Sequence, residues 1–387
     1  MVAPRIVVAV DDGSLPAALR CVLGGYRSSW DLRCGTAADV PGWLAEAPAD
    51  VFVTDGDTGL ALLREVRTLH PATTCLVLVD ACDESALPGL AGLAHQVLAR
   101  PCDGLTLFGV INGVLDVRRL LDDDRLRSLL GEVESLPKPP SLHAEILAVT
   151  AREDASLTEV AAVIAGDLSL SADILRLVNS PFFGQRGTVS SVERAAVLLG
   201  VDTLHALALA GKLFATDSPL PRGLDAAAVR ARAERSGAFA RAIARAEEWP
   251  SGLAGAAFLA AMLHDVGLLA LAAADPVAFE LFTKFELPGL APYERERAAF
   301  GCSVADVSGY LLGLWGFDAE AVRALVDQPP VGADLVGPSV AHAVAYARHL
   351  AGGGEPERDR PGRDADGAAR ARRWEDAAMG ALAITLP

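Results

Sequence analysis

The sequence predicts a doubly wound α/β domain followed by an all-α domain. Three patterns carry that expectation. Short aliphatic runs alternate with helically spaced segments over the first 118 residues, no strand pattern falls between Ser141 and Ala351, and Ser-x-x-Glu/Asp signatures precede apolar helical runs in that second stretch. Fully buried parallel strands read as continuous apolar runs, whereas half-exposed strands alternate, and the first 118 residues show the former.

In chain order, residues 6–10 (IVVAV) form the first strand and end in Asp11-Asp12-Gly13. Residues 15–23 have helical spacing. Val51-Phe52-Val53-Thr54 is the second strand, ending at Asp55, and residues 60–69 place apolar side chains at 60, 62, 63, 66 and 69 as a helix does. Strands are expected at 76–79 and 96–99, and a helix at 105–115. Residues 119–135 keep helical apolar spacing among many charges and are expected to form a linker helix. Leu136-Pro137-Lys138-Pro139-Pro140 ends it, because proline removes a donor and fixes φ. Within the helical domain, expected at 136–351, Ser156-x-x-Glu159, Ser190-x-x-Glu193 and Ser303-x-x-Asp306 mark helix starts. Residues 352–373, rich in Gly, Pro, Arg and Asp, are expected to be a disordered loop, and 374–387 a C-terminal helix docking on the helical domain.

The 387 residues are 51% hydrophobic but only 5% aromatic, and the net charge is −16. This acidity excludes a general phosphate-backbone binder, so no direct nucleic-acid partner is expected. The longest apolar stretch, 253–274, is interrupted by His264-Asp265, which argues for burial in protein over a membrane span. The apolar run at 6–10 is shorter than a signal h-region, and the six cysteines contain no C-x-x-C pair. The expected location is therefore the cytoplasm, with inert thiols and no membrane partner.

Asp11, Asp12 and Asp55 fall at strand carboxyl ends, where α/β proteins place functional residues. Three converging carboxylates suit Mg²⁺ and phosphoryl chemistry; aspartates at strand ends also serve simply as turn formers. Val8-Ala9-Val10-Asp11-Asp12-Gly13-Ser14 and Asp50-Val51-Phe52-Val53-Thr54-Asp55 resemble the receiver domain of response regulators, over about 115 residues. The resemblance implies a flavodoxin-like fold, Mg²⁺ at Asp11, Asp12 and Asp55, and Asp55 as the phosphoacceptor of a two-component phosphorelay. It also implies a histidine kinase or another signalling protein upstream and a regulator downstream. This sequence departs from the pattern at two switch positions, where the family has a hydroxyl residue and a lysine but this chain has Asp80 and Arg100. Asp80 would bring negative charge towards a phosphoryl dianion, and Arg100 keeps a positive charge on a planar fork. The receiver is therefore read as degenerate.

His264-Asp265 is the chemical-looking pair of the second domain. Such a pair can ligate a metal, or can be a core histidine held by its neighbours. Around it stand Ala165-Gly166-Asp167-Leu168-Ser169-Leu170, Asn179-Ser180-Pro181-Phe182-Phe183-Gly184, Ser191-Val192-Glu193-Arg194-Ala195-Ala196-Val197-Leu198-Leu199-Gly200 and Gly309-Tyr310-Leu311-Leu312-Gly313-Leu314-Trp315-Gly316-Phe317. The series resembles the HDOD domain, a helical relative of the HD phosphohydrolases. Those enzymes need an upstream His and a downstream Asp. Arg235 stands at the upstream place, and Tyr346-Ala347-Arg348-His349-Leu350 offers no Asp downstream. No catalytic residue and no metal are therefore assigned here, and His264 and Asp265 are read as a degenerate HD pair. Asn179, His205, Trp315, His342 and His349 are read as structural. The expected function is regulatory, with the receiver-like part controlling a non-catalytic interaction domain, a homodimer being compatible with it. The alternative is a metal-dependent HD phosphohydrolase acting on a nucleotide or cyclic dinucleotide.

Overall fold

The structure, a computed structural model, describes residues 3–11, 13–26, 30–80, 90, 93–119, 127, 130, 149, 156–179, 188–209, 222–285, 292–329, 338–353 and 365–385. Asp12, Cys82 and most of the expected linker helix lie outside the described residues, as does the side chain of His205.

The α/β domain comprises β1 (Arg5–Ala9), α1 (Ser14–Tyr26), β2 (Asp31–Gly35), α2 (Val40–Glu46), β3 (Val51–Asp55), α3 (Gly56–Leu69), β4 (Thr74–Asp80), β5 (Gln96–Arg100) and α4 (Gly104–Arg118). The five strands form one parallel sheet in the order β2-β1-β3-β4-β5. Alternation along each strand divides two layers. Ile6, Val8, Val51, Val53, Leu76, Leu78 and Leu98 face α1 and α4, where Leu19, Leu107 and Ile111 are buried. Val7, Phe52, Cys75, Val77 and Val97 face α2 and α3, meeting Leu44, Leu63 and Val66. The doubly wound fold is as the sequence predicts, with one addition. The strand β2 has no purely apolar run: it reads Asp-Leu-Arg-Cys-Gly, is half-buried throughout, and forms one edge of the sheet. An edge strand tolerates the charges that hide it from the apolar-run criterion.

The helical region comprises α5 (Leu157–Ala165), α6 (Leu168–Asn179), α7 (Val192–Leu209), α8 (Ala226–Ala246), α9 (Ser251–Leu263), α10 (Val266–Ala274), α11 (Pro276–Lys284), α12 (Pro292–Phe300), α13 (Val304–Leu314), α14 (Ala319–Val326), α15 (Val340–Ala351) and α16 (Ala365–Thr385). Among the described residues no strand occurs here. The capping boxes at Ser156/Glu159 and Ser303/Asp306 form. The third helix start shifts by one residue. Ser191, not Ser190, accepts the Arg194 N–H and also bonds Glu193, so the cap follows the hydroxyl that reaches the free amide. Asn179 closes α6 by donating to the Leu175 and Val189 carbonyls and accepting from Val189 N–H at 2.7 Å, a structural latch.

The long helix α8 packs against α9, α15 and α16. Residues 251–274 are long and apolar enough to cross a membrane by length and composition. They are instead two helices broken at His264-Asp265 and mostly buried against neighbouring helices. The expected loop over 352–373 is overturned in its second part, because α16 begins at Ala365. The Arg residues that lower its hydropathy still join the alanines in a helix: Ala371 and Ala378 are fully buried, and arginines border the packed face. Trp374, also fully buried, donates its indole N–H to Glu247 at 2.8 Å and meets Tyr346 edge-on at 5.5 Å. Truncating Trp374→Ala is expected to cost about 3–5 kcal/mol, the usual range for a buried aromatic, read as a fall in the denaturation midpoint at constant m.

Candidate functional site

Two charge clusters result from this fold. The first sits where the strand order reverses, between β1 and β3, the topological switch point at which α/β folds form their crevice. β3 ends at Asp55 and α3 starts at the next residue, so no loop intervenes. Asp55 is 1% exposed. One carboxylate oxygen accepts the Asp11 backbone N–H at 2.6 Å, and the other is held in an ion pair by the Arg100 guanidinium, which reaches across from the end of β5. Asp80 ends β4 in register with Arg100 and is exposed. The structure therefore joins Asp11, Asp55 and Arg100, while Asp11 contributes its amide to Asp55 and its own side chain is exposed. Both Asp55 oxygens are engaged, so the described residues do not present that carboxylate as an open Mg²⁺ ligand.

The second cluster forms where α9 passes into α10. His264 and Asp265 make the turn and are 2% and 5% exposed. The imidazole Nδ1 lies 3.4 Å from one Asp265 oxygen, and Arg232 Nε on α8 donates to the other at 2.8 Å. Half-buried Arg348 on α15 adds a second guanidinium charge, and its partial removal from water lowers its own pKa to about 10. Burial pushes the Asp265 carboxyl up, but the His264 hydrogen bond and the arginine charges outweigh this and hold it below the ordinary range. Burial, helped by Arg348, lowers His264 to about 4, so the imidazole is neutral near pH 7.

The turn is clamped from α13. Ser308 Oγ donates to the His264 carbonyl and accepts the Gly267 N–H at 2.8 Å. Only glycine fits at 267, since a Cβ there would lie 2.3 Å from the Val304 carbonyl oxygen. Glu296 lies near enough to feel Arg348; burial raises its pKa against the Val304 N–H that it accepts.

One expectation needs correction. Arg235, assigned to the upstream ligand place, turns away and donates to the Ala351 carbonyl at 3.1 Å. The cation on Asp265 is Arg232, nearly one turn earlier on α8. Sequence reasoning did not single out Arg232, and read Arg348 only as a missing Asp; two arginines on one face of the 226–246 helix was the available signal. A guanidinium on Asp265 does not fit a metal ligand set, because it repels a cation and occupies the carboxylate. Among the described residues no group of three His, Cys, Asp or Glu could hold a metal. His342 bonds Ser339 at the start of α15, and Trp315 packs beneath Arg176, whose guanidinium lies 5.2 Å from the ring centroid.

A model of the HDOD domain family matches residues 136–329, half of the sequence, and the chain belongs to that family. Helices α15 and α16, and with them Arg348, lie beyond the matched stretch. An uncharacterised protein of Treponema pallidum is 22% identical over 203 residues, which cover 51% of this chain and 38% of that protein, so the chain spans well under two thirds of this relative. Among solved structures, the MmoQ response regulator of Methylococcus capsulatus is 28% identical, covering 64% of this chain and 98% of that one, with TM-score 0.48. A virulence factor from Campylobacter jejuni is 20% identical over 69% of this chain and 98% of that one, also at TM-score 0.48.

The histidine sets a pH dependence. Its folded pKa lies below its unfolded value, so the unfolded chain binds more protons between the two. Stability is therefore expected to fall as pH drops from about 6.5 towards 4, by roughly 3 kcal/mol for that displacement. Urea unfolding of wild type and His264→Gln across this range checks it: the variant's acid slope should be shallower.

Proposed function

We propose that this HDOD protein is a signal-transduction regulator whose receiver-like α/β domain controls a non-catalytic helical interaction domain. The observation that carries the reading is the Arg232 guanidinium on Asp265 with Arg348 beside it: the carboxylate of the HD pair is already neutralised by protein. Hydrolytic HD chemistry needs about three protein ligands and an open position for water. Here one carboxylate and one neutral imidazole face two cations. The site supports a rigid, closed junction of α8, α9, α10 and α15, and a helical surface around it is the output.

The same logic applies at the first cluster. Asp55 is the candidate acceptor, and a phosphoryl group there would set a dianion against Arg100 in place of a carboxylate. Its source would be a histidine kinase or another signalling protein, and the output a downstream protein regulator.

The full-length chain, supplied in turn with Mn²⁺, Fe²⁺ and Mg²⁺, is assayed on bis-p-nitrophenyl phosphate and a cyclic dinucleotide. The expected result is no turnover above that of His264→Ala. Turnover by wild type that His264→Ala abolishes would establish the phosphohydrolase and overturn the non-catalytic reading.

A further inference from the structure

The two clusters are joined by two rigid elements. On β5 the side chains of Gln96, Leu98 and Arg100 share one face, because strand side chains alternate with period two. Arg100 holds Asp55 at one end of that face. At the other end Gln96, 5% exposed, donates its side-chain amide to the Leu314 carbonyl at 2.9 Å. That carbonyl belongs to the C-terminus of α13, where helix carbonyls lack partners. The α13 terminus closes as a Schellman motif: Gly316, at φ +80°, donates to the Gly313 carbonyl and Phe317 to the Leu312 carbonyl. Leu314 lies outside those two bonds, and Gln96 of the α/β domain takes it.

Contact at this end leaves little slack. A Cβ on Gly316 would lie 3.2 Å from the Gln96 amide carbon, and one on Gly313 would lie 2.3 Å from Val117 of α4. The glycines at 313 and 316 thus form a socket for the α/β domain. Six residues back along α13, about 9 Å at 1.5 Å per residue, Ser308 clamps His264 and Gly267. Among the described residues β5 is an edge strand, paired to β4 alone, so it can move without breaking a second ladder.

We propose that β5 and α13 act as one arm, so that seating Arg100 on Asp55 sets the packing of the His264-Asp265 turn. With Arg100 seated, β5 is fixed at both ends, α13 is held by Gln96 and Val117, and Ser308 holds the turn. When Arg100 leaves Asp55, the pocket end of β5 is released, α13 follows through its closed C-terminus, and the Ser308 clamp loosens. The route rests on reading the α/β domain as the input. It runs through direct docking of the two domains, at Gln96 on Leu314 and Val117 against Gly313.

Hydrogen–deuterium exchange of the full-length chain tests it without a partner. Asp55→Asn and Arg100→Met each unseat the pair. Exchange over 264–268 and 304–316 should quicken about 5-fold or more, the lower end of site-to-site couplings, and the increase should vanish in a Gln96→Leu background. Exchange over 365–385, remote from the arm, should stay at the wild-type rate. Unchanged exchange at both segments in both variants overturns the arm, as does an increase that survives Gln96→Leu. An equal rise over 365–385 reports general loosening and also contradicts it. Failure here leaves the non-catalytic reading standing, since the phosphodiester assay decides that separately.

Discussion

A carboxylate taken out of water needs a cation or hydrogen-bond donors beside it, and at both candidate sites of this chain a guanidinium is the cation. Asp55 is closed by Arg100 and Asp265 by Arg232, with Arg348 behind it. The choice of arginine has physical content. A planar fork satisfies a buried carboxylate more completely than a hydrated ammonium, and it stays charged when desolvated. Burial lowers Arg348 only to about 10, so it remains a cation at neutral pH. Both acidic centres thereby become internal ion pairs that fix helices and strands in place.

Where those pairs sit explains the architecture. Arg232 ties α8 to the α9–α10 turn, Arg235 ties α8 to the end of α15, and Glu247 with Trp374 ties α8 to α16. Of the helices beyond the matched family stretch, α15 brings Arg348 to the HD pair, while α16 packs on the far end of α8 at Glu247 and accepts from Tyr346 of α15 through buried Glu375. At the other pole, the glycine-rich end of α13 receives Gln96 and Val117. The apolar layer over α1 and α4 therefore continues into the helical core as one cluster.

Much of this was legible in the sequence, and the remainder follows a pattern. The buried strands β1, β3, β4 and β5 read as apolar runs because helices cover both faces; β2 did not, because an edge strand carries Asp31 and Arg33. Asp55 and His264-Asp265 stood out as motifs. Arg100 stood out too, as a substituted switch position; Arg232 and Arg348 did not stand out as partners of Asp265, because each comes from a different element and only folding brings it near. The Gly309–Phe317 motif was legible as family likeness but not as a socket. Its glycines matter for what they leave room for: Val326 behind Gly309, Val117 at Gly313 and Gln96 at Gly316. The segment before Trp374 read as a loop because its Ala and Arg content lacks an apolar stripe, yet alanine suffices where the neighbouring helix is close.

The account turns on whether guanidinium groups stand where a hydrolase would hold metal. Titrating Mn²⁺ into the full-length chain and following the free-ion signal by electron paramagnetic resonance measures this directly. The account predicts that the signal grows as in buffer, with no tight stoichiometric site, and that His264→Ala behaves as wild type. Loss of one equivalent of free Mn²⁺ at micromolar concentration, restored by His264→Ala, would contradict it.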